Sequence, residues 1–208
     1  MHSKTLRRLS RLVAQQAKDP VVGLPADIDT GIPPIMRFES VDDVEPIANN
    51  LELESGTGLT ATLVEMVGVF YELALNAVEH SRWTAGYYVI RAGSNIVGSV
   101  QHTVGIADCG IGIPASLRHN PVFADVPNDA DAIALATELH VTGTGEAHRG
   151  IGLDHVVSVV KSLGGNLTIV SAGGSLEVNA GGEMIKSSPA GSDQLAGTVA
   201  VVTMSVPV

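Results

Sequence analysis

The chain has 208 residues, of which 45% are apolar but only 3% are aromatic, so one domain-sized core must be built from Val, Leu, Ile and Ala. The net charge of −10 argues against a general nucleic-acid binder, and the single cysteine, Cys109, excludes an internal disulfide bond. No apolar run approaches the length of a membrane span and no secretory signal is evident, so we expect a cytoplasmic protein.

The first 18 residues are basic and the remainder of the chain is acidic. Residues 1–18 carry five basic side chains and no acidic one, which leaves 7 basic and 22 acidic residues, a charge of −15, for the rest. Leu6, Leu9, Leu12 and Val13 predict an amphipathic helix over residues 3–17. Two interpretations remain open for this helix. It docks a partner or an acidic surface, or it packs against its own domain with a solvated basic face.

Residues 19–34 are rich in Pro, Gly and Asp, which is typical of a linker or an extended arm. We therefore divide the chain into an N-terminal basic helix and arm, residues 1–34, and a main domain, residues 35–208. Apolar periodicity and turn residues predict the elements of the main domain. They predict helices at 41–53, 59–81, 129–139 and 154–163, and strands at 35–40, 86–92, 96–107, 166–171, 175–179, 182–187 and 197–206.

Residues 71–81 form the stretch around which the chain is organised. Glu72 and Asn76 are four residues apart in an otherwise apolar helix, so they lie on one helix face, and Glu79 and His80 continue this polar stripe. A carboxylate and an amide on so apolar a helix are either a solvated stripe or part of a site. The glycine-rich loops further along the chain favour a site.

Two short glycine-containing segments follow. Asp108 ends a strand and precedes Gly110 and Gly112; a buried acid there can accept a hydrogen bond from an exocyclic amine, and the glycines let backbone approach a flat ring. Gly150 and Gly152 open a helix, where free backbone N–H groups receive phosphate. Each segment by itself also fits an ordinary tight turn.

The ordered set of three motifs resembles the ATP-binding domain of the gyrase, heat-shock chaperone, histidine kinase and MutL superfamily, the Bergerat fold. Residues 72–77 look like its N-box, residues 108–114 like its first glycine box and residues 149–153 like its second. The resemblance covers about residues 36–208. It implies an α+β fold, a two-layer α/β sandwich with a mixed, mostly antiparallel sheet.

The resemblance also implies roles for individual residues. Asn76 would hold Mg²⁺ against the phosphates of ATP, and Asp108 would accept from the adenine amino group. Residues 115–149 would be a mobile ATP lid. The remaining residues of the implied ATP site are those bordering the base, Gly110, Gly112, Ile113 and Thr198, and those near the phosphates, Arg149, Gly150, Ile151, Gly152 and Leu153.

None of the seven histidines is followed by an acidic residue, which disfavours autophosphorylation on histidine. The chain resembles the small bacterial anti-sigma-factor kinases and related single-domain ATP-binding proteins, and the resemblance implies that a carboxylate such as Glu72 can act as general base. We carry two hypotheses: an Mg-dependent ATPase or Ser/Thr protein kinase, and a non-catalytic ATP-dependent switch whose lid controls partner binding. Both imply a regulatory protein partner, with no specific nucleic acid and no membrane, and both leave a homodimer open.

Overall fold

The computed structural model describes residues 2–16, 33–54, 61–80, 85–95, 98–141, 152–188 and 194–207. Within these ranges, strands and helices alternate irregularly along the chain, as expected of an α+β fold. The helices are α1 (His2–Gln16), α2 (Val41–Glu54), α3 (Ala61–His80), α4 (Ile113–Arg118), α5 (Asp129–Ala136) and α6 (Gly152–Ser162). The strands are β1 (Met36–Phe38), β2 (Gly86–Asn95), β3 (Ser99–Asp108), β4 (Asn166–Ala172), β5 (Gly174–Val178), β6 (Met184–Ser187) and β7 (Leu195–Pro207).

The seven strands form one sheet in the order β1-β2-β3-β7-β4-β5-β6. Every neighbouring pair among these strands is antiparallel. The sheet and the helices packed against it make the α/β sandwich that the sequence predicts. The C-terminal strand β7 lies in the middle, between β3 and β4.

Most helices cover one face of this sheet. Alternate residues of the central strands, such as Val104 and Ile106 on β3 and Ala200 and Val202 on β7, point towards that face. They pack against buried side chains of α2, α3, α5 and α6 in the larger of two apolar clusters. This helical layer is the side of the sheet on which the candidate site lies.

The basic helix α1 packs against the opposite face of the sheet. Its buried side chains Leu9, Leu12 and Val13 share an apolar cluster with Val199 and Val201 of β7, residues that alternate with those facing the helical layer. Close approach requires a glycine on β3, because a Cβ atom at Gly105 would lie 2.6 Å from Leu9 Cδ1. The structure therefore shows α1 packed against its own domain, which is one of the two interpretations of this helix.

Helix α3 spans the middle of the helical layer. By length and composition alone, residues Ala61–Glu79 would be long and apolar enough to cross a membrane, so the expectation that no segment approaches that length was wrong. The inward side of α3, including Val69, Phe70, Leu73 and Ala74, is buried in the main core. A core helix of this kind passes the same test as a membrane span.

Gly68 lies in the interior of α3, where glycine costs about 0.5–1 kcal/mol relative to alanine. A Cβ atom at Gly68 would lie 3.7 Å from Nε2 of His155 on α6, an ordinary van der Waals contact. We expect Gly68→Ala to raise the free energy of unfolding by about 0.5–1 kcal/mol in urea denaturation. Gly86→Ala is the control, because its Cβ would lie 2.1 Å from Phe38 Cζ and should destabilise. A loss of stability in both variants would contradict the prediction.

The segment that follows β3 is folded against the sheet rather than projecting from it. Asp129 at the start of α5 accepts from Arg118 Nη1 at 2.8 Å and, through Oδ2, from the backbone N–H of Gly173 at 3.0 Å. A Cβ at Gly174 would meet the backbone of Ala130 at 2.5 Å, so the turn between β4 and β5 lies directly against α5.

The mobile ATP lid expected over residues 115–149 stays a prediction, and its described part lies in this packed segment. Residues 115–141 include most of α4 and all of α5, and Leu117, Ala130 and Ile133 are buried. Helix α5 matches the helix predicted at residues 129–139, whereas the six residues of α4 give too few turns for a clear helical period. Residues 142–149 of the predicted lid lie outside the described residues.

His102 of β3 is a buried titratable group on the helical side of the sheet. It is 5% exposed, its Nε2 has no hydrogen-bond partner among the described residues, and burial lowers the pKa of His102 below the ordinary 6.5. The unfolded chain therefore takes up a proton at His102 more readily than the folded chain. Its contribution to stability is complete above pH 6.5 and is lost as the pH falls towards the lowered folded pKa.

We accordingly expect the urea midpoint of the wild type to fall more steeply below pH 6.5 than that of a His102→Gln variant. Both proteins contain the same other titrating groups, so the difference between their pH profiles isolates His102. Parallel profiles would show that His102 is not the group responsible.

Candidate functional site

Three polar side chains lie next to one another on adjacent strands. Asp108 of β3 is in register with Thr198 of β7, and Thr198 is in register with Ser171 of β4. Each follows the alternation of the residues that face the helices, so all three point to the helical side of the sheet. The antiparallel order β3-β7-β4 thus places residues that are far apart in the chain in one row.

Asp108 is buried, with 6% of its surface exposed. Its Oδ1 accepts from the backbone N–H of Gly110 at 2.7 Å, and the backbone N–H of Thr198 also donates to the carboxyl group. Burial raises the pKa of Asp108 to about 7, and the two N–H donors partly oppose this rise. The site therefore holds a carboxyl group whose charge changes near neutral pH.

The loop after Asp108 is held in place by Ser171. The backbone N–H of Ile113 donates to Ser171 Oγ at 2.9 Å, and Ser171 Oγ donates to the carbonyl oxygen of Gly197 at 2.9 Å. Gly112 has a φ of +78°, and a Cβ there would lie 2.8 Å from Ser171 Oγ. Gly112 is therefore needed both for its backbone conformation and for the close approach of Ser171.

Ser171 is a residue of this candidate site that sequence reasoning missed. It is fully buried, and its hydroxyl also lies 3.0 Å from Thr198 Oγ1. The only signal in the sequence is a small polar residue at an inward position of an otherwise apolar strand, just before Gly173 and Gly174. That signal does not reveal which loop the serine holds.

Gly197 shows how closely β7 approaches the end of β3. Its φ is +123°, and a Cβ there would lie 2.0 Å from the carbonyl oxygen of Asp108. No side chain fits at that distance.

Cys109 lies between the strand and the glycine loop and is partly buried. Burial raises the pKa of its thiol to about 11, and the charge of the nearby Asp108 carboxyl group adds to this rise. The neutral thiol packs beside the α1 cluster and behaves as a small apolar filler.

A second group of predicted residues meets where α3 contacts α6. A Cβ atom at Gly152, the first residue of α6, would lie 2.6 Å from Glu72 Oε2 and 3.4 Å from Asn76 Nδ2. Glu72 and Asn76 therefore both face the N-terminus of α6, as their spacing on α3 predicts. Leu153, the next residue, packs against the main core.

The side-chain amide of Asn76 is the most informative polar group at this contact. Its Nδ2 is buried and has no hydrogen-bond partner among the described residues. A buried N–H donor without an acceptor is costly, so such a group indicates a missing partner. An acceptor such as a phosphate oxygen would satisfy it, and the amide oxygen of the same side chain is a ligand type that Mg²⁺ accepts.

The structure thus brings the sequence-predicted residues together in two groups on the helical side of the sheet. One group contains Asp108, Gly110, Gly112, Ile113 and Thr198; the other contains Glu72, Asn76, Gly152 and Leu153. The remaining three predicted residues, Arg149, Gly150 and Ile151, lie outside the described residues.

Comparisons with known proteins give one structural match. No protein-family profile matches the chain, and no curated protein sequence matches it. Among solved structures, the chain is similar to the histidine kinase domain of the Erythrobacter litoralis EL346 blue-light activated histidine kinase. The TM-score is 0.36 and the identity 16%, over 98% of this chain and 74% of that chain. A similarity at this level carries no information about which residues bind a ligand.

Proposed function

We propose that this chain is a cytoplasmic, Mg²⁺-dependent ATP-binding protein of the histidine kinase-like ATPase type. It hydrolyses ATP or phosphorylates a Ser or Thr of a regulatory partner protein. The observation that carries the proposal is the meeting of Glu72 and Asn76 of α3 with Gly152 of α6, with the Asn76 amide nitrogen buried and unpaired among the described residues. A helix N-terminus with a free amide donor beside it suits a phosphate group.

The base-binding end of the proposal rests on Asp108. Its carboxyl group is buried at the end of β3, and its neighbours Gly110 and Gly112 present backbone rather than side chains. A carboxylate in such a place accepts a hydrogen bond from the amino group of adenine. Guanine offers a carbonyl oxygen at the corresponding position, which would leave two acceptors facing each other.

The donor set at α3 and α6 fits Mg-ATP. Mg²⁺ takes oxygen ligands, keeps several waters and is commonly bound through one or two protein oxygens together with phosphates. The Asn76 side chain would supply one such oxygen and a donor for a phosphate oxygen. When bound, the ion would neutralise charge on the phosphates.

Glu72 has a different task in the enzyme hypothesis. Its carboxylate lies next to Gly152 at the N-terminus of α6, where we propose that the phosphates bind. It would orient the attacking water or substrate hydroxyl and accept its proton as that oxygen bonds to phosphorus. Before the reaction the ionised Glu72 carboxylate would repel the nearby phosphate groups. Glu72 is therefore not expected to improve ATP affinity.

The second candidate function is a non-catalytic ATP-dependent switch. It is favoured by the surroundings of Glu72, because no hydrogen bond or ion pair within the described part of the chain orients that carboxylate. A general base is usually oriented by a neighbouring group. The switch would bind ATP at the same residues and change its affinity for a partner without turnover.

Calorimetry with ATP and GTP, each with Mg²⁺ and with EDTA, tests the shared part of both hypotheses. We expect ATP to bind in a Mg²⁺-dependent way and GTP to bind much more weakly. Asn76→Ala should weaken binding of Mg-ATP, with Asn166→Ala at the exposed first residue of β4 as the matched control. Absence of ATP binding by the folded wild type would reject both hypotheses. Nucleotide hydrolysis with and without cell extract then separates the enzyme from the switch.

A further inference from the structure

Helix α1 has one face in the protein and one in solvent, and the solvent face carries only positive charge. Lys4, Arg7 and Arg11 are exposed and fall at positions i, i+3 and i+7, which form one stripe along a helix. Opposite them, Leu9 and Leu12 are buried against the sheet. We call Lys4, Arg7 and Arg11 the basic stripe.

No ion pair within the described part of the chain neutralises the basic stripe. The ion pairs in the described part of the structure involve Arg37, Arg118 and Lys186, and none involves a residue of the stripe. Arg7 Nε donates only to the backbone carbonyl of Ser3, at 3.2 Å. Like charges three and four residues apart weaken a helix. The stripe therefore has a small cost for α1 and no compensating partner within the described residues.

Solubility does not account for the stripe either. The chain has a net charge of −10, and the part outside residues 1–18 has −15. Copies of a protein this acidic already repel one another, which favours solubility. The three exposed cations of the stripe reduce that repulsion and create a local positive surface on an otherwise acidic protein.

We infer that the basic stripe of α1 is a docking surface for an acidic segment of a partner protein. A membrane is disfavoured as the occupant because Leu9, Leu12 and Val13 are buried against the sheet and cannot enter a bilayer. The net charge of −10 also opposes approach of the whole protein to an anionic bilayer or to nucleic acid. A short acidic segment meets the stripe without bringing a large negative surface near the rest of the chain.

The placement of α1 makes the stripe a stable platform. The helix is anchored on β3 and β7 through the closely fitting pair Gly105 and Leu9, and Arg8 Nη1 donates to the carbonyl oxygen of Pro33 at 3.2 Å. The Cα atoms of the three residues are therefore held at helical spacing, which suits a partner segment whose acids repeat at helical intervals. This inference is independent of whether the chain binds ATP.

Fluorescence anisotropy with a synthetic peptide of about 16 residues, carrying Glu at helical i, i+3 and i+7 positions, tests the inference. A peptide with Gln in place of Glu is the reference ligand. At about 50 mM salt, the intact chain should bind the Glu peptide at least tenfold tighter than the Gln peptide, and added salt should weaken binding. Arg7→Glu and Arg11→Glu should each weaken binding about fivefold.

Lys161→Glu, an equal charge reversal on the exposed end of α6, is the matched control and should change affinity less than about twofold. Circular dichroism checks that each variant is folded, and Arg7→Gln provides a milder second variant. The inference fails if the Glu peptide does not bind, or if Lys161→Glu weakens binding as much as Arg7→Glu. It also fails if vesicles rich in phosphatidylserine or a DNA duplex bind the stripe more tightly than the peptide does.

Discussion

Replacement of Glu72 by glutamine is expected to keep ATP affinity within a few-fold and to lower the rate of hydrolysis or phosphotransfer about 100- to 10,000-fold. Glutamine has nearly the same shape but cannot accept a proton. Glu72 Oε2 lies against Gly152, 2.6 Å from the position that a Cβ would occupy there. The substitution therefore changes the chemistry of this contact with little change in packing.

Single-turnover measurements at saturating ATP separate the chemical step from binding. Glu65→Gln is the matched control, because Glu65 lies on the same helix but is exposed. Full turnover in the Glu72→Gln protein would remove Glu72 from the chemistry. If the wild type shows no turnover with any partner, the enzyme hypothesis fails and the ATP-dependent switch takes its place.

Asp108→Asn is expected to weaken ATP binding about ten- to a hundredfold. The substitution replaces an acceptor oxygen with an amide donor facing the adenine amino group, and an unmatched buried polar pair costs about 1–3 kcal/mol. Calorimetry on the folded variant measures the loss directly. Asp125→Asn is the control, because Asp125 is exposed in the segment between α4 and α5. An unchanged affinity in Asp108→Asn would contradict the assignment of Asp108 to the base.

The same carboxyl group predicts how ATP affinity depends on pH. Because burial raises the pKa of Asp108 to about 7, the fraction ionised in the free protein rises as the pH passes through neutrality. An amine donor favours the carboxylate, so bound ATP lowers this pKa and affinity should rise with pH until Asp108 is fully ionised in the free protein. The Asp108→Asn protein should lack this contribution.

Local patterns in the sequence predicted most elements of the fold but not all of them. The stripe around Leu73 and the alternation that ends at Asp108 gave the long helix and the strand before the glycine loop. Helix α4 was missed because its six residues, which begin at Ile113, are too short for a helical period.

The candidate site was predictable where its residues lie close together in the sequence, on one helix or in one short motif. Glu72 and Asn76 share a face because they are four residues apart on one helix. Ser171 was not predictable, because its role depends on the register of β4 with β7 and on a loop 58 residues away. The side of the sheet that α1 covers was also hidden, because it depends on the small size of Gly105.

The order of strands in the sheet has a consequence for synthesis of the protein. β7 is the last of the described strands, yet it separates β1-β2-β3 from β4-β5-β6. Until β7 has left the ribosome, the two three-stranded halves have no strand between them, and β3 and β4 each present an unpaired edge. Such edges are templates for aggregation. A nascent chain that ends before Leu195 also lacks Gly197 and Thr198, so the edges of β3 and β4 stay unpaired until β7 has been synthesised.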